Sequence, residues 1–210
     1  MALFEGNWTL NARRTLSVVE VRRILRNAQS RSARDYVLLA LTFNLAALVS
    51  EVIHLKVREF DFEGHLVQIV PLRKATQKRA LPAPVVYPVM KDVSLLVRNW
   101  IRANALRKSD WIFQGRARSC RLLKYPCSGG HLTRRQAQRI FDIAIRRAHL
   151  KVKSRGIHAL RHARLTQIAQ RSRDPWLVRD AGRLRSVAHG IAYVQFVKMN
   201  QYLRDIGGKL

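Results

Sequence analysis

The spacing of apolar positions changes period along this chain, and the changes divide it into elements. Ser17-Val18-Val19-Glu20 is a capping box, in which the serine hydroxyl and the glutamate carboxylate satisfy amides that the first helical turn leaves unpaired. Val21, Ile24, Leu25 and Ala28 continue from it at helical spacing, which predicts a first helix with one apolar face. Residues 29–34 interrupt the stripe. Residues 35–49 are apolar almost all round, the pattern of a buried helix, and a short turn over 50–55 follows. From Lys56 the period falls to two: Val57, Glu59 and Asp61, then residues 65–70, alternate around Glu63-Gly64, a hairpin signal. The polar run 73–78 then leads into residues 79–82, which read as a short edge strand where Pro82 is tolerated. Helical spacing returns over 88–106, with Val93, Leu96, Val97, Trp100 and Ile101 on one face, and Trp111-Ile112-Phe113 anchors the chain after it. A second capping box, Thr133-Arg134-Arg135-Gln136, opens a helix whose apolar stripe is Ala137, Ile140, Phe141, Ala144 and Ala148. Residues 1–15 carry no periodicity and read as a leader or linker, so the expected domain is 16–210.

Charge changes this picture from a helical domain to a polyanion-binding one. Lysine and arginine number 40 against 13 aspartates and glutamates, a net charge of +27, and the default partner of such a surface is nucleic acid. The basic residues are interleaved with apolar periodicity, so the charge decorates a fold rather than a tail. Between His131 and Arg185 there are 15 lysines and arginines against three aspartates. Arg134, Arg135, Arg139, Arg146 and Arg147 fill the polar side of the 133–148 helix, which makes it a candidate DNA-contacting element. The basic loop 116–130 reads equally as a DNA contact or as a solvated loop. The longest mostly apolar run, 36–49, is too short to span a membrane, and no N-terminal apolar segment with a cleavage site appears. The expected location is the cytoplasm, in association with the nucleoid. Cys120 and Cys127, the two cysteines, are expected to be reduced thiols; with His131 nearby they lack an evident fourth ligand, so no metal site is expected.

The chemistry concentrates in His158-Ala159-Leu160-Arg161-His162 and in Tyr193, about thirty residues on. An arginine can clamp phosphate oxygens, a histidine can carry a proton and a tyrosine hydroxyl can attack phosphorus. Taken alone, His158 reads as a core histidine and Tyr193 as a packed ring. Joined in H-x-L-R-H followed by a late tyrosine in a basic helical context, they point to a phosphodiester-cutting site. This pattern resembles the tyrosine recombinase (phage integrase) family, and the order of elements is similar along nearly the whole chain from Ser17.

The resemblance implies an α+β fold, a mainly helical catalytic domain with a small three-stranded antiparallel sheet, without the N-terminal core-binding domain common in relatives. It implies a site-specific DNA recombinase or integrase that cuts and rejoins double-stranded DNA through a 3′-phosphotyrosyl intermediate, works as a DNA-bound tetramer and needs no cofactor. Tyr193 aligns with the nucleophile, Arg161 with the second catalytic arginine and His158 with the first histidine of the motif. Arg73-Lys74 and Arg79-Ala80-Leu81-Pro82 match the family's sheet-turn pattern, which makes Lys74 the general acid. Two positions depart. Ala46-Ala47-Leu48-Val49-Ser50-Glu51-Val52 matches G-L-R-x-S-E-L with Leu48 where the first arginine belongs, and Gly182-Arg183-Leu184 stands for L-G-H with Leu184 in place of the histidine. Arg183, Arg185 and His189 are the candidates to compensate. His162 is expected to support the site rather than act in it. Losing one transition-state donor costs roughly 2.7–4 kcal/mol, so a second reading stands beside the enzyme: a catalytically decayed DNA-binding regulator or architectural protein of the same fold. A type IB topoisomerase shares the chemistry, but H-x-L-R-H fits the integrases better.

Overall fold

The computed structural model describes residues 16–69, 85–115, 130–150 and 156–207, which form eight α-helices and one three-stranded sheet. The expected leader 1–15, the basic loop 116–129 with Cys120 and Cys127, the strand expected at 79–82, and Lys74 all lie outside the described residues.

Helix α1 (Val18–Gln29) begins at the expected capping box: the Glu20 amide donates to Ser17 Oγ at 3.2 Å and the Ser17 amide to the Glu20 carboxylate at 2.7 Å. Its buried face is Val21, Ile24 and Ala28. Helix α2 (Ala33–Asn44) runs through the middle of the molecule. Leu38, Leu39 and Leu41 have no exposed surface, and each such side chain contributes about 1.5–3 kcal/mol of burial. The buried Asp35 carboxylate is paired by Arg31 at 3.2 Å and Arg34 at 3.4 Å, as a buried charge requires.

The second helix was expected to reach residue 49 and ends instead at Asn44. The apolar pattern continues, but Ala46 takes a left-handed conformation (φ 45°), which turns the chain out of the helix. Leu48 then becomes the residue in front of a separate short helix, α3 (Val49–Ile53). Val57 and Glu59, expected in the alternating strand, lie in a 3-10 turn (Val57–Glu59). The hairpin itself is β1 (Phe60–Asp61) and β2 (Leu66–Ile69), its turn held by Asp61 Oδ1, which accepts from the Glu63 and Gly64 amides at 3.1 Å. The third strand is β3 (Val85–Pro88), antiparallel to β2 with Val67 opposite Tyr87. Residue 88 was expected to open a helix. It closes this edge strand, where a missing N–H costs no ladder bond, and α4 (Lys91–Ala103) starts three residues later.

Helix α5 (Arg134–Arg147) starts at its expected capping box and buries Ala137, Ile140, Phe141, Ala144 and Ile145. Gln138 of α5 accepts from the Ile157 amide at 2.9 Å, which fixes the chain just before α6 (His158–Ser172). Asp174 caps α7 (Pro175–Gly182), donated to by the Trp176 amide at 2.8 Å, with Pro175 in the first turn, where it removes no helical bond. Helix α8 (Val187–Gly207) crosses close to α7, and any side chain at Gly190 would collide with the Pro175 carbonyl. Two apolar clusters result. The larger joins α1 to α6 and the sheet; the smaller gathers Ala46, Leu165, Ala169, Val178, Tyr193, Val194 and Val197. The candidate site lies along the smaller one. Among the described residues, no helix is long and apolar enough to cross a membrane.

Candidate active site

Helix α6 places His158, Arg161 and His162 within one and a quarter turns, so that positions four apart share a face. His158 and His162 are at the surface, while Arg161 between them is partly buried. Its guanidinium donates from Nη1 to the Ala46 carbonyl at 2.7 Å and from Nη2 to the Gly182 carbonyl. Those two carbonyls belong to the segment after α2 and to the last residue of α7, so the arginine ties three parts of the chain together. A guanidinium has five N–H donors in a fixed fork, and donors not spent on these carbonyls remain for a phosphate. Burial, and then the charge of Arg183, lower the Arg161 pKa from its ordinary value; at neutral pH it stays cationic.

Tyr193 projects from α8 into the smaller cluster and is only 5% exposed. Its hydroxyl meets His162 Nδ1 at 2.5 Å, with the rings nearly parallel, 27° apart at 6.0 Å. Burial pushes the phenol pKa up to about 12, opposed in part by Arg161. Both histidines are lowered from 6.5. For His158 the causes are desolvation by burial and then Arg161 and Arg134, with Glu51 acting the other way; for His162 they are desolvation, Arg161 and His158. Both imidazoles are therefore neutral at pH 7.

The other side of the site is built differently. Glu51, at the start of α3, is buried, and its carboxylate accepts from the Leu48 amide at 2.9 Å and from Arg183 Nη2 at 3.0 Å. Arg183 sits just past α7 in a left-handed conformation (φ 51°). It also donates to the Leu45 and Ala46 carbonyls, at 3.3 and 3.2 Å, and lies over the Tyr87 ring of β3 at 4.6 Å. Ala46 thus receives both guanidiniums on one carbonyl. Leu48 itself is partly exposed and supplies no charge. Leu184 packs against the smaller apolar cluster.

The sequence-predicted residues are thereby sorted. Tyr193, Arg161 and His158 come together, and Lys74 lies outside the described residues. Of the three compensating candidates, Arg183 reaches the segment before Leu48, Arg185 is exposed, and His189 hydrogen-bonds Ser186 at 3.1 Å near the start of α8. Arg134, Arg135, Arg139, Arg146 and Arg147 are all exposed on α5, and Arg134, at its start, is near enough to the site to act on His158. Two contacts were not anticipated from sequence, where His162 was expected only to support the site and Glu51 had no assigned role. His162 holds the tyrosine hydroxyl, and Glu51 holds Arg183. The four-residue spacing of the two histidines signals the first; nothing in the spacing of Glu51 and Arg183 signals the second.

A helical domain with a three-stranded antiparallel sheet, carrying an arginine and histidines on one helix against a buried tyrosine from another, has the form of a tyrosine recombinase catalytic domain. The chain belongs to the phage integrase family, whose model matches residues 14–198. Among characterised proteins it is similar to the type 1 fimbriae regulatory protein FimE of Escherichia coli strain K12, 27% identical over 190 residues covering 88% of this chain and 86% of that protein. FimE of Shigella flexneri matches to the same extent. Among solved structures, XerA recombinase superposes with a TM-score of 0.69 at 15% identity, over 91% of this chain and 63% of that one. XerH recombinase bound to a palindromic difH substrate in a post-cleavage complex gives 0.66 at 23% identity, over 92% of this chain and 52% of that one. The chain spans less than two thirds of either recombinase, and these likenesses establish the fold.

Proposed function

We propose that this protein cuts and rejoins double-stranded DNA at specific sites through a 3′-phosphotyrosyl intermediate on Tyr193. The observation that carries the reading is the tyrosine hydroxyl of α8 held against the H-x-L-R-H helix, at 2.5 Å from His162, the residue next to Arg161. Attack on a phosphodiester builds charge on the non-bridging oxygens, and positioned cationic donors lower the energy of that state. Arg161 clamps the scissile phosphate with the N–H groups its backbone contacts leave over. His158, neutral and at the surface, assists proton transfer, and Lys74 protonates the leaving 5′ oxygen. The phosphotyrosyl link conserves the energy of the phosphodiester bond, so rejoining needs no other energy source. The exposed arginines of α5 and the +27 net charge supply the phosphate-binding surface. Membership of the family, and the DNA substrate in the XerH complex, support DNA as the partner. The reading extends to a tetramer on DNA as the working assembly, acting in the cytoplasm at the nucleoid.

A second reading has its own observation. Leu48 and Leu184 stand where two further donors are expected, and a protein of this fold without turnover would act as a DNA-binding regulator. FimE, a relative named as a regulatory protein, is compatible with either. A nicked suicide duplex separates them: the recombinase reading predicts a covalent protein–DNA adduct on a denaturing gel, formed with chelator present and lost in Tyr193→Phe. Tight DNA binding with no adduct from any duplex tested establishes the regulator instead.

A further inference from the structure

A buried phenol is a poor nucleophile until it loses its proton. With its pKa pushed up to about 12, only about one Tyr193 in 10⁵ is phenolate at pH 7 without help. Leu184, which stands in place of a histidine, is apolar and cannot accept this proton. What touches the hydroxyl is His162 Nδ1, at 2.5 Å. In the Nε2–H tautomer of His162 the hydroxyl donates and Nδ1 presents its lone pair to it. The groups that face His162 are Arg161 and His158 on its own helix and Tyr193 on α8; burial first, and then the positive charge of Arg161, keep the imidazole neutral and therefore able to accept. His158 is one turn away, toward Arg134 and Glu51, and His189 is engaged with Ser186.

We propose that His162 is the catalytic base that takes the Tyr193 proton during cleavage and returns it during rejoining, an inference that rests on Tyr193 being the nucleophile. In cleavage the Tyr193 O–H proton passes to Nδ1, the tyrosine oxygen bonds to phosphorus, the bond from phosphorus to the 5′ oxygen breaks, and that oxygen takes a proton from Lys74. In rejoining the 5′ hydroxyl returns its proton to Lys74 and attacks phosphorus, the tyrosine oxygen leaves, and it recovers the proton from Nδ1. Arg161, between the two histidines, holds the phosphate. His162 thus works on the nucleophile and His158 on the phosphate side, a division set by their places one turn apart on α6.

The test is adduct formation from a nicked suicide duplex by His162→Asn, whose Oδ1 can keep the hydrogen bond near the Nδ1 position but cannot take the proton. The adduct rate at pH 7 falls by about a hundred- to ten-thousandfold. It then climbs roughly tenfold per pH unit up to pH 9 as hydroxide replaces the base, whereas the parent rate levels off once His162 is neutral. A duplex with a 5′-bridging sulfur, which leaves without a proton, rescues Lys74→Ala and leaves His162→Asn slow. Melting curves confirm that the variant is folded at the assay temperature, and His162→Gln serves if it is not. A His162→Asn rate within tenfold of the parent with the same pH profile, or rescue of it by the sulfur duplex, overturns the inference while leaving Tyr193 as nucleophile. Absence of adduct in the parent overturns both.

Discussion

The two sides of the site contrast in what their charged groups are used for. On the α6–α8 side His158 and His162 are exposed, while Arg161 bonds backbone carbonyls and the buried Tyr193 hydroxyl bonds His162. On the α3 side, Glu51 and Arg183 are spent on one another and on the chain before Leu48, and both are nearly fully buried, with side-chain exposures of 3% and 7%. The first arrangement can meet a phosphate. The second is a brace. An arginine was expected at 48 and the one that arrives, 135 residues later in the chain, fills the space beside Ala46 and commits both terminal nitrogens to Leu45, Ala46 and Glu51. The same residue type thus serves structure on one side and chemistry on the other, and the difference lies in what each guanidinium is bonded to.

The contrast breaks most readily at the brace. Arg183→Met leaves the Glu51 carboxylate buried without its cation and should cost about 3–5 kcal/mol, read as a lowered midpoint in urea unfolding. Adding Glu51→Gln should recover much of it, because the uncompensated charge is then gone. A single variant as stable as the parent would show that the pair holds nothing. Leu48→Arg sharpens the contrast from the other direction. Residue 48 is partly exposed, so an arginine there reaches solvent and, in the suicide-duplex assay, should raise adduct formation by about a hundred- to a thousandfold. No gain in a folded variant would mean that the missing arginine at 48 does not limit the reaction.

Smaller effects follow from titration and from the basic surface. The Tyr193 pKa is raised from 10.0 to about 12, so its folded state favours the protonated phenol. Its contribution is complete below pH 10 and is lost as pH rises from 10 to 12, a loss of about 3 kcal/mol that Tyr193→Phe should abolish. An alkaline unfolding limb unchanged in that variant would place the ring in a less buried setting. Weakest of all, Arg135→Ala or Arg139→Ala on α5 should reduce the slope of log affinity against log salt by about one each, at similar cost for any DNA sequence. Slopes equal to the parent's would remove that helix face from the interface.

How much of this was legible beforehand depends on whether the signal is local. Both capping boxes, at Ser17 and Thr133, begin helices where they were expected, because a cap is decided within four residues. The break after Asn44 was hidden: Ala46 carries no glycine or proline signal, and its left-handed turn is held by guanidiniums from Arg161 and Arg183. β3 was passed over because Pro88 resembles a helix start, and its pairing with Leu66 becomes evident only across the sheet. Within the site, H-x-L-R-H and Tyr193 were recognisable as a motif. That His162 is the side chain holding the hydroxyl depends on how α8 packs on α6, and the Glu51–Arg183 pair joins residues that no spacing rule connects.

The central claim is that the chain's reactive atom is the Tyr193 hydroxyl, and the most direct measurement identifies the residue joined to DNA. The protein is trapped on a nicked duplex, digested with protease, and the DNA-linked peptide is sequenced by mass spectrometry. The account predicts a 3′-phosphotyrosyl bond on Tyr193, within the start of α8. A link to Tyr202, to Tyr87 or to any serine contradicts it and moves the chemistry away from the hydroxyl that His162 holds.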